Sequence, residues 1–78
     1  MTTLYLTEPG TVVRCQNQNL LIRRREQERL CRLSEVDLVV VLPGIQISSG
    51  ALAELLDRGI ETIFLRGDGG FRGRLQGQ

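Results

Sequence analysis

The segment with the most chemical potential lies near the carboxyl end, where glycines alternate with charged and aromatic side chains: Arg66-Gly67-Asp68-Gly69-Gly70-Phe71-Arg72-Gly73-Arg74. Glycine amides can approach a phosphate closely, arginine binds it in bidentate fashion, and an aromatic ring stacks on bases. The candidate nucleic-acid contacts are therefore Arg66, Arg72 and Arg74, with Phe71 as a stacking side chain. The alternative is a hairpin tip, in which Asp68-Gly69 forms a type I′ turn and the arginines are only solvated; the turn chemistry favours this alternative.

Other reactive groups are sparse. The 78 residues include no His, which removes the commonest general base near neutral pH and the commonest metal ligand. Ser-His-Asp and Cys-His catalytic arrangements are therefore excluded. The acid pairs Glu26/Glu28 and Glu35/Asp37 fall in predicted loops without a third ligand, so no metal site or cofactor is predicted for this chain.

Arg23-Arg24-Arg25 is a second candidate for phosphate contact. On alternating strand geometry Arg23 and Arg25 share a face while Arg24 points away, which favours a solvated strand end over one continuous patch. The amino end of the predicted helix could hold an anion, but ordinary capping by Ser48 or Ser49 accounts for the serines there.

Composition indicates one small domain that gains from a partner. Ten Arg, no Lys and nine acidic residues give a net charge of +1, so no global basic field is expected. A chain of this length buries only roughly 60% of its unfolded surface, which leaves a marginal core. No run approaches the ~20 apolar residues of a membrane span, and no apolar stretch follows a basic start. We therefore expect a cytoplasmic protein without a membrane segment.

The first half of the chain predicts short antiparallel strands. Val12–Gln16 and Asn19–Arg24 flank Asn17-Gln18, a two-residue hairpin loop. In that register Cys15 faces Leu20 and Val13 faces Ile22 on the apolar side, whereas Arg14 and Arg23 fall on a mixed, half-solvated side.

A third strand, Arg29 to Leu33, is predicted to place Cys31 near Ile22. Cys15 and Cys31 then lie on strands separated by a third, about 10 Å apart at the Cα atoms, since neighbouring strands are about 4.8 Å apart. That distance is too long for a disulfide, so we interpret both as small buried hydrophobic residues. A redox pair is the disfavoured alternative.

The second half predicts a central strand, one helix and a final hairpin. Leu38–Leu42 is apolar on both faces, and Pro43-Gly44 ends it. A helix follows at about Ser49–Arg58, with Gly59 as its αL cap, before strands Ile60–Leu65 and Phe71–Leu75. The predicted class is α+β, mainly β: a small antiparallel, sandwich-like domain of about six or seven short strands with one helix. The expected core residues are Val13, Cys15, Leu20, Ile22, Cys31, Val39, Val41, Leu52, Leu55, Leu56, Ile63 and Phe64.

At this point two stretches resemble a known family: LYLTEPGTVVRCQNQNLLIRR, and LSEVDLVVVLPGIQISSGALAELLDRGIETIFLRGDGGFRGRLQG. Together they resemble the N-terminal β-domain of the CRISPR-associated spacer-acquisition integrase, the first-numbered Cas protein, from Leu4 to Gly77. The motif elements that carry the resemblance are Glu8-Pro9-Gly10, the run Leu33 to Val41, Gln46-Ile47-Ser48, Ala51, Leu55, Gly59-Ile60, Phe64-Leu65 and Gly70-Phe71-Arg72.

The resemblance implies a single β-rich domain over residues 1–75, with 76–78 as the start of a linker to a helical catalytic domain. In the family that helical part holds Mg²⁺ or Mn²⁺ with acidic residues and a His, so no catalytic residue is carried over to this chain. The β-domain is implied to form a homodimer, to assemble with the small second Cas protein and to line the path of prespacer DNA. Arg72 resembles a family position that faces DNA. The aromatic wedge of some members has no counterpart at Glu8-Pro9-Gly10.

Three hypotheses follow. The leading one is a non-catalytic dimerisation and DNA-positioning domain of a CRISPR adaptation integrase. The second is a free-standing nucleic-acid-binding β module that uses Phe71, Arg72 and Arg74. The third is a metal nuclease that uses Asp and Glu alone, for which the sequence offers no assembled ligand set.

Overall fold

The computed structural model describes residues 2–77. Within that range the chain forms eight strands, a short 3-10 turn at Leu33–Glu35 and one helix. The strands are β1 (Thr3–Leu6), β2 (Val12–Gln16), β3 (Asn19–Arg24), β4 (Gln27–Arg32), β5 (Leu38–Val41), β6 (Gln46–Ile47), β7 (Glu61–Leu65) and β8 (Phe71–Leu75), and the helix is α1 (Ser49–Asp57).

The strands form two four-stranded sheets. The first sheet has the order β1-β5-β7-β8 and the second the order β4-β3-β2-β6. The predicted class, mainly β with one helix, is confirmed. Both sheets are mixed rather than wholly antiparallel, because β1, β5 and β7 run parallel in the first sheet and β2 and β6 run parallel in the second. Parallel partners need a crossover, and here the intervening strands or the helix supply it.

The two sheets are joined at a corner built from two similar turns. The chain passes from the first sheet to the second twice, between β1 and β2 and between β5 and β6, and a Pro-Gly pair lies in each connection. Gly10 donates its N–H to the carbonyl of Gly44 at 2.8 Å, and Leu42 donates to Leu6 at 2.9 Å. The two connections therefore run side by side, which makes both strand pairs parallel.

The β2–β3 hairpin has the predicted register. Cys15 pairs with Leu20 and Val13 pairs with Ile22. Asn17 and Gln18 have φ values of 51° and 66°, as the type I′ turn of a two-residue hairpin requires.

Strand β4, predicted as Arg29 to Leu33, differs from its prediction. It begins at Gln27, because the turn before it takes only Arg25 and Glu26, and Arg25 adopts a φ of 57°. Cys31 consequently faces Leu20, so the predicted proximity to Ile22 was wrong by two residues; Ile22 lies opposite Arg29.

The core lies between the inner faces of the two sheets, with α1 on one side. Of the twelve residues expected there, the structure buries Val13, Leu20, Ile22, Val39, Val41 and Leu55. The other six are half-buried: Cys15, Cys31, Leu52, Leu56, Ile63 and Phe64. Of these, Cys15, Cys31 and Phe64 pack against the core. The assignment of Ile63 to the core was wrong, because the register places it beside Val40 on the outer face of the first sheet. Buried hydrophobic residues that the pattern did not single out are Leu4, Leu6, Leu33, Val36, Val40, Ala51 and Ile60.

Local signals define both ends of α1. The Oγ of Ser48 accepts a hydrogen bond from the Ala51 N–H at 3.1 Å, which makes Ser48 the N-cap. Gly59 follows the helix with a φ of 70°, as an αL cap does. Ala51 and Leu55 point into the core, so the helix packs on the inner side of the sheets.

Candidate nucleic-acid interface

The loop between β7 and β8 satisfies its own backbone groups. Gly69 donates its N–H to the Arg66 carbonyl at 2.8 Å, so Gly67 and Asp68 are the central residues of the turn. The Asp68 carboxylate accepts from the Gly70 N–H at 2.8 Å, and Gly69 has a φ of 88°. The predicted type I′ turn at Asp68-Gly69 is wrong, because Asp68 does not adopt positive φ. The N–H groups of Gly69 and Gly70, which the sequence suggested as phosphate donors, therefore already donate hydrogen bonds within this loop.

Two of the three predicted DNA-contact arginines pair with acids of the same hairpin. Arg74 contacts the Glu61 carboxylate at 2.9 Å, and Arg66 lies 3.7 Å from the carboxylate of Asp68. Arg72 is exposed and carries no ion pair within residues 2–77. The register steps from Phe64–Gly73 to Leu65–Phe71, which leaves Arg72 as the extra residue of a β-bulge.

The outer face of the first sheet is largely apolar, with the Arg74–Glu61 ion pair as its charged part. The register places Tyr5, Val40 and Ile63 in one row across β1, β5 and β7, and pairs Phe71 with Leu65 beside them. These five residues are named here the apolar outer face. Tyr5 is 63% exposed and Phe71 is 60% exposed. Because α1 packs on the opposite side of this sheet, no helix of the described chain covers these rings.

The outer face of the second sheet carries three arginines, of which only Arg23 was a candidate for phosphate contact from the sequence. Arg14, Arg23 and Arg32 alternate outward from β2, β3 and β4 and are named here the arginine face. All three are exposed and make no ion pair with any residue between 2 and 77. The sequence did contain an indication of this cationic surface, because residues 12 to 32 include far more arginines than acidic residues.

Both cysteines are free thiols. They point to the core side of the second sheet on either side of Leu20, two strands apart. Burial raises the pKa of the Cys31 thiol, with a smaller raising effect from the Glu35 carboxylate, while the Arg29 cation opposes both.

Residues 2–77 contain neither an assembled metal site nor a membrane-spanning helix. No group of three His, Cys, Asp or Glu side chains comes together there in a way that could hold a metal ion. In the same range, no helix is long and apolar enough to cross a membrane.

Two packed four-stranded sheets and one helix define a small, mainly β domain. Residues 4–78 match the family of CRISPR associated protein Cas1. The chain therefore belongs to the Cas1 family, to whose N-terminal part it corresponds, and the resemblance drawn from the sequence is confirmed. No curated protein matches the chain.

Solved Cas1 structures share the fold. A chain of a partial Cas6-RT-Cas1–Cas2 complex superimposes with a TM-score of 0.91 at 19% identity, over 99% of this chain and 24% of that one. A Cas1 protein from Thermotoga maritima gives 0.87 at 15% identity, over 100% and 24%. TtCas1 in a DNA complex gives 0.83 at 22% identity, over 97% and 26%. The chain thus spans about a quarter of the length of these relatives.

Proposed function

We propose that this chain is the non-catalytic N-terminal domain of a CRISPR adaptation integrase, and that it forms a homodimer and positions DNA. The observation that carries the dimer is the apolar outer face, where Tyr5 and Phe71 each expose about three fifths of their surface. Two large rings on one uncovered sheet face are typical of a protein interface, in which aromatic side chains are enriched. A second copy, related by a two-fold axis, offers the same rings to the same surface.

DNA positioning is supported by two facts. The chain belongs to the Cas1 family, and one relative of the same fold has been solved as a TtCas1-DNA complex. Others are parts of Cas6-RT-Cas1–Cas2 complexes, which supports the small second Cas protein as a partner. A basic surface that is not neutralised by acids of its own is the physical requirement for binding phosphates.

The cutting and joining chemistry is assigned to the remainder of a longer parent protein. Relatives of this fold are about four times longer, and no carboxylate cluster for a metal forms within residues 2–77. We expect Mg²⁺ or Mn²⁺ in the parent, held by acidic residues and a His of a helical domain. Residues 1–75 are proposed as the β-domain and 76–78 as the start of the linker; Gln78 lies outside the described residues.

The dimer is tested by multi-angle light scattering on the 78-residue chain across a concentration series. We expect a mass that approaches twice the monomer mass of 8.7 kDa as concentration rises. The double variant Tyr5→Ser/Phe71→Ser removes both exposed rings, and its mass should fall to that of the monomer. Circular dichroism verifies that the variant remains folded, since neither ring belongs to the core.

Leu30→Ser is the matched control, because Leu30 is 58% exposed but lies on the outer face of the other sheet. It should leave the dimer intact. A wild-type chain that stays monomeric at every concentration contradicts the dimer proposal. A dimer that dissociates in Leu30→Ser and persists in the double variant assigns the interface to the second sheet instead.

A further inference from the structure

Charge is distributed unevenly between the two halves of this domain. The segment 12–32, which forms β2, β3 and β4, contains six arginines and two glutamates, a net charge of +4. The rest of the chain contains four arginines and seven acids, a net charge of −3, and the two parts give the overall +1. The near-neutral total therefore conceals a dipolar molecule whose second sheet is the cationic side.

The arginines of the second sheet are also the ones without acidic partners. Four arginines form ion pairs: Arg24 with Glu8, Arg58 with Glu54, Arg66 with Asp68 and Arg74 with Glu61. Six make none within residues 2–77, and five of these six belong to β2, β3, β4 or the turn between β3 and β4: Arg14, Arg23, Arg25, Arg29 and Arg32. Guanidinium groups not engaged by carboxylates are available for phosphate.

The strand register brings three of them onto one face of the second sheet. Arg14 lies opposite Leu21, and Arg23 is the diagonal neighbour of Arg14, about 7–8 Å away. Arg32 projects from the same face two strands away from Arg14, a lateral separation of about 10 Å. The only acid on this face is Glu28, opposite Arg23. The arginine face thus has a net charge of +2.

We propose that the arginine face binds the phosphate backbone of duplex DNA. A single strand is the poorer fit, because single-strand surfaces combine cations with aromatic stacking platforms. The aromatic residues of this chain are Tyr5, Phe64 and Phe71, and all three belong to the first sheet. Outward residues of the second sheet are arginines, amides, aliphatic side chains and Glu28; the arginines and amides can hold a backbone, but none of these side chains is an aromatic platform for bases.

The fold sets how this surface relates to the proposed dimer. Two sheets that pack face to face direct their outer faces away from each other. If two copies meet through the apolar outer face of the first sheet, each therefore directs its arginine face outward, on opposite sides of the dimer. DNA binding and dimerisation then use separate surfaces, and loss of one leaves the other unchanged. This inference rests on the proposed DNA-positioning function and names the surface responsible.

The test is fluorescence anisotropy of a labelled DNA duplex titrated with the 78-residue chain at several salt concentrations. The triple variant Arg14→Gln/Arg23→Gln/Arg32→Gln should bind about tenfold or more weakly, and the slope of log affinity against log salt should fall by about 2.7, at roughly 0.9 per lost phosphate contact. The matched control is the single variant Arg58→Gln, at the end of α1, which should change affinity less than the single variant Arg14→Gln. A second triple variant, Arg66→Gln/Arg72→Gln/Arg74→Gln, removes the same charge as the first from the DNA contacts predicted on the β7–β8 hairpin, and the inference requires its loss of affinity to be the smaller of the two. A labelled single strand should bind more weakly than the duplex.

Each other outcome overturns the inference and says where the error lies. If Arg66→Gln/Arg72→Gln/Arg74→Gln loses binding and Arg14→Gln/Arg23→Gln/Arg32→Gln does not, DNA positioning stands but uses the β7–β8 hairpin. Equal losses in both triple variants indicate a response to net charge alone. If the wild-type chain binds no duplex at low salt, the DNA-positioning function falls with the inference, whereas the dimer is judged separately by light scattering on the same samples. Circular dichroism on every variant verifies the fold, since all the substituted arginines are exposed.

Discussion

Replacing Gly44 by Ala tests whether the corner between the sheets holds the domain together. Gly44 lies in the connection from β5 to β6 with a φ of 87°, and Gly10 lies in the connection from β1 to β2 with a φ of 88°. Each follows a proline, as the third residue of a type II turn does. The two glycines therefore share the same positive φ and differ in their surroundings.

The magnitude follows from that difference. An alanine at positive φ costs about 1–2 kcal/mol at either position. At Gly10 a Cβ meets nothing within 4 Å, so no further cost is expected. At Gly44 a Cβ lies 3.0 Å from the Pro9 Cβ and 3.1 Å from the Pro9 Cα, which belong to the stiff neighbouring turn. Overpacking of this kind adds about 1–3 kcal/mol. Gly44→Ala should thus cost about 2–5 kcal/mol, a large part of the roughly 4–12 kcal/mol expected for a domain of this size.

Urea denaturation followed by circular dichroism measures both variants against wild type. Gly44→Ala should have a clearly lower midpoint than Gly10→Ala, with an unchanged slope against urea. Equal midpoints would refute the reasoning, because the two substitutions would then differ in nothing that the Pro9 contact explains. A wild-type midpoint for both variants would refute the assignment of positive φ itself.

Three further predictions concern the helix and a thiol. Ser48→Ala should lower stability by about 1 kcal/mol through loss of the cap, whereas Ser49→Ala should have little effect; equal losses in thermal unfolding would contradict the cap assignment. Leu55→Ala should cost about 2–5 kcal/mol, and more than Leu56→Ala, because Leu55 is buried and Leu56 only half-buried; denaturant unfolding measures both. Burial raises the pKa of Cys31, so its alkylation rate should rise at higher pH in the folded chain than in urea. By linkage, the stability from its neutral thiol is complete below the ordinary thiol pKa and is lost as pH rises toward the folded value; an alkylation midpoint equal to that in urea would contradict the burial.

The parts of the fold predicted from sequence were those that depend on neighbours along the chain. Asn17-Gln18 marked the hairpin and its register because a two-residue loop fixes which residues face each other. The polar–apolar spacing and flanking residues marked the helix to within one residue, Ser49–Asp57 against about Ser49–Arg58. The family was recognised for the same reason, since its motifs are short local strings.

Predictions failed where a turn left several geometries open. The turn between β3 and β4 contains two residues instead of the predicted four. Cys31 therefore lies opposite Leu20 and not near Ile22, as predicted. At Asp68-Gly69 a longer loop formed, because the Asp68 carboxylate closed it through the Gly70 amide rather than entering the positive-φ region. Alternative turns of similar energy exist for both strings, and the surrounding strands select among them.

The sequence alone determined the mainly β class, the helix, the first hairpin and the membership in the Cas1 family, because periodicity, capping and turn chemistry act over a few residues. Only the tertiary structure decided how the arginines divide. Arg74 meets Glu61 across β7 and β8, and Arg24 of β3 meets Glu8 of the connection between β1 and β2. Arg14, Arg23 and Arg32 lie on a surface with one acid. Ion pairs form through space between segments far apart in the chain, so the count of charges could not show which of them are left for a partner.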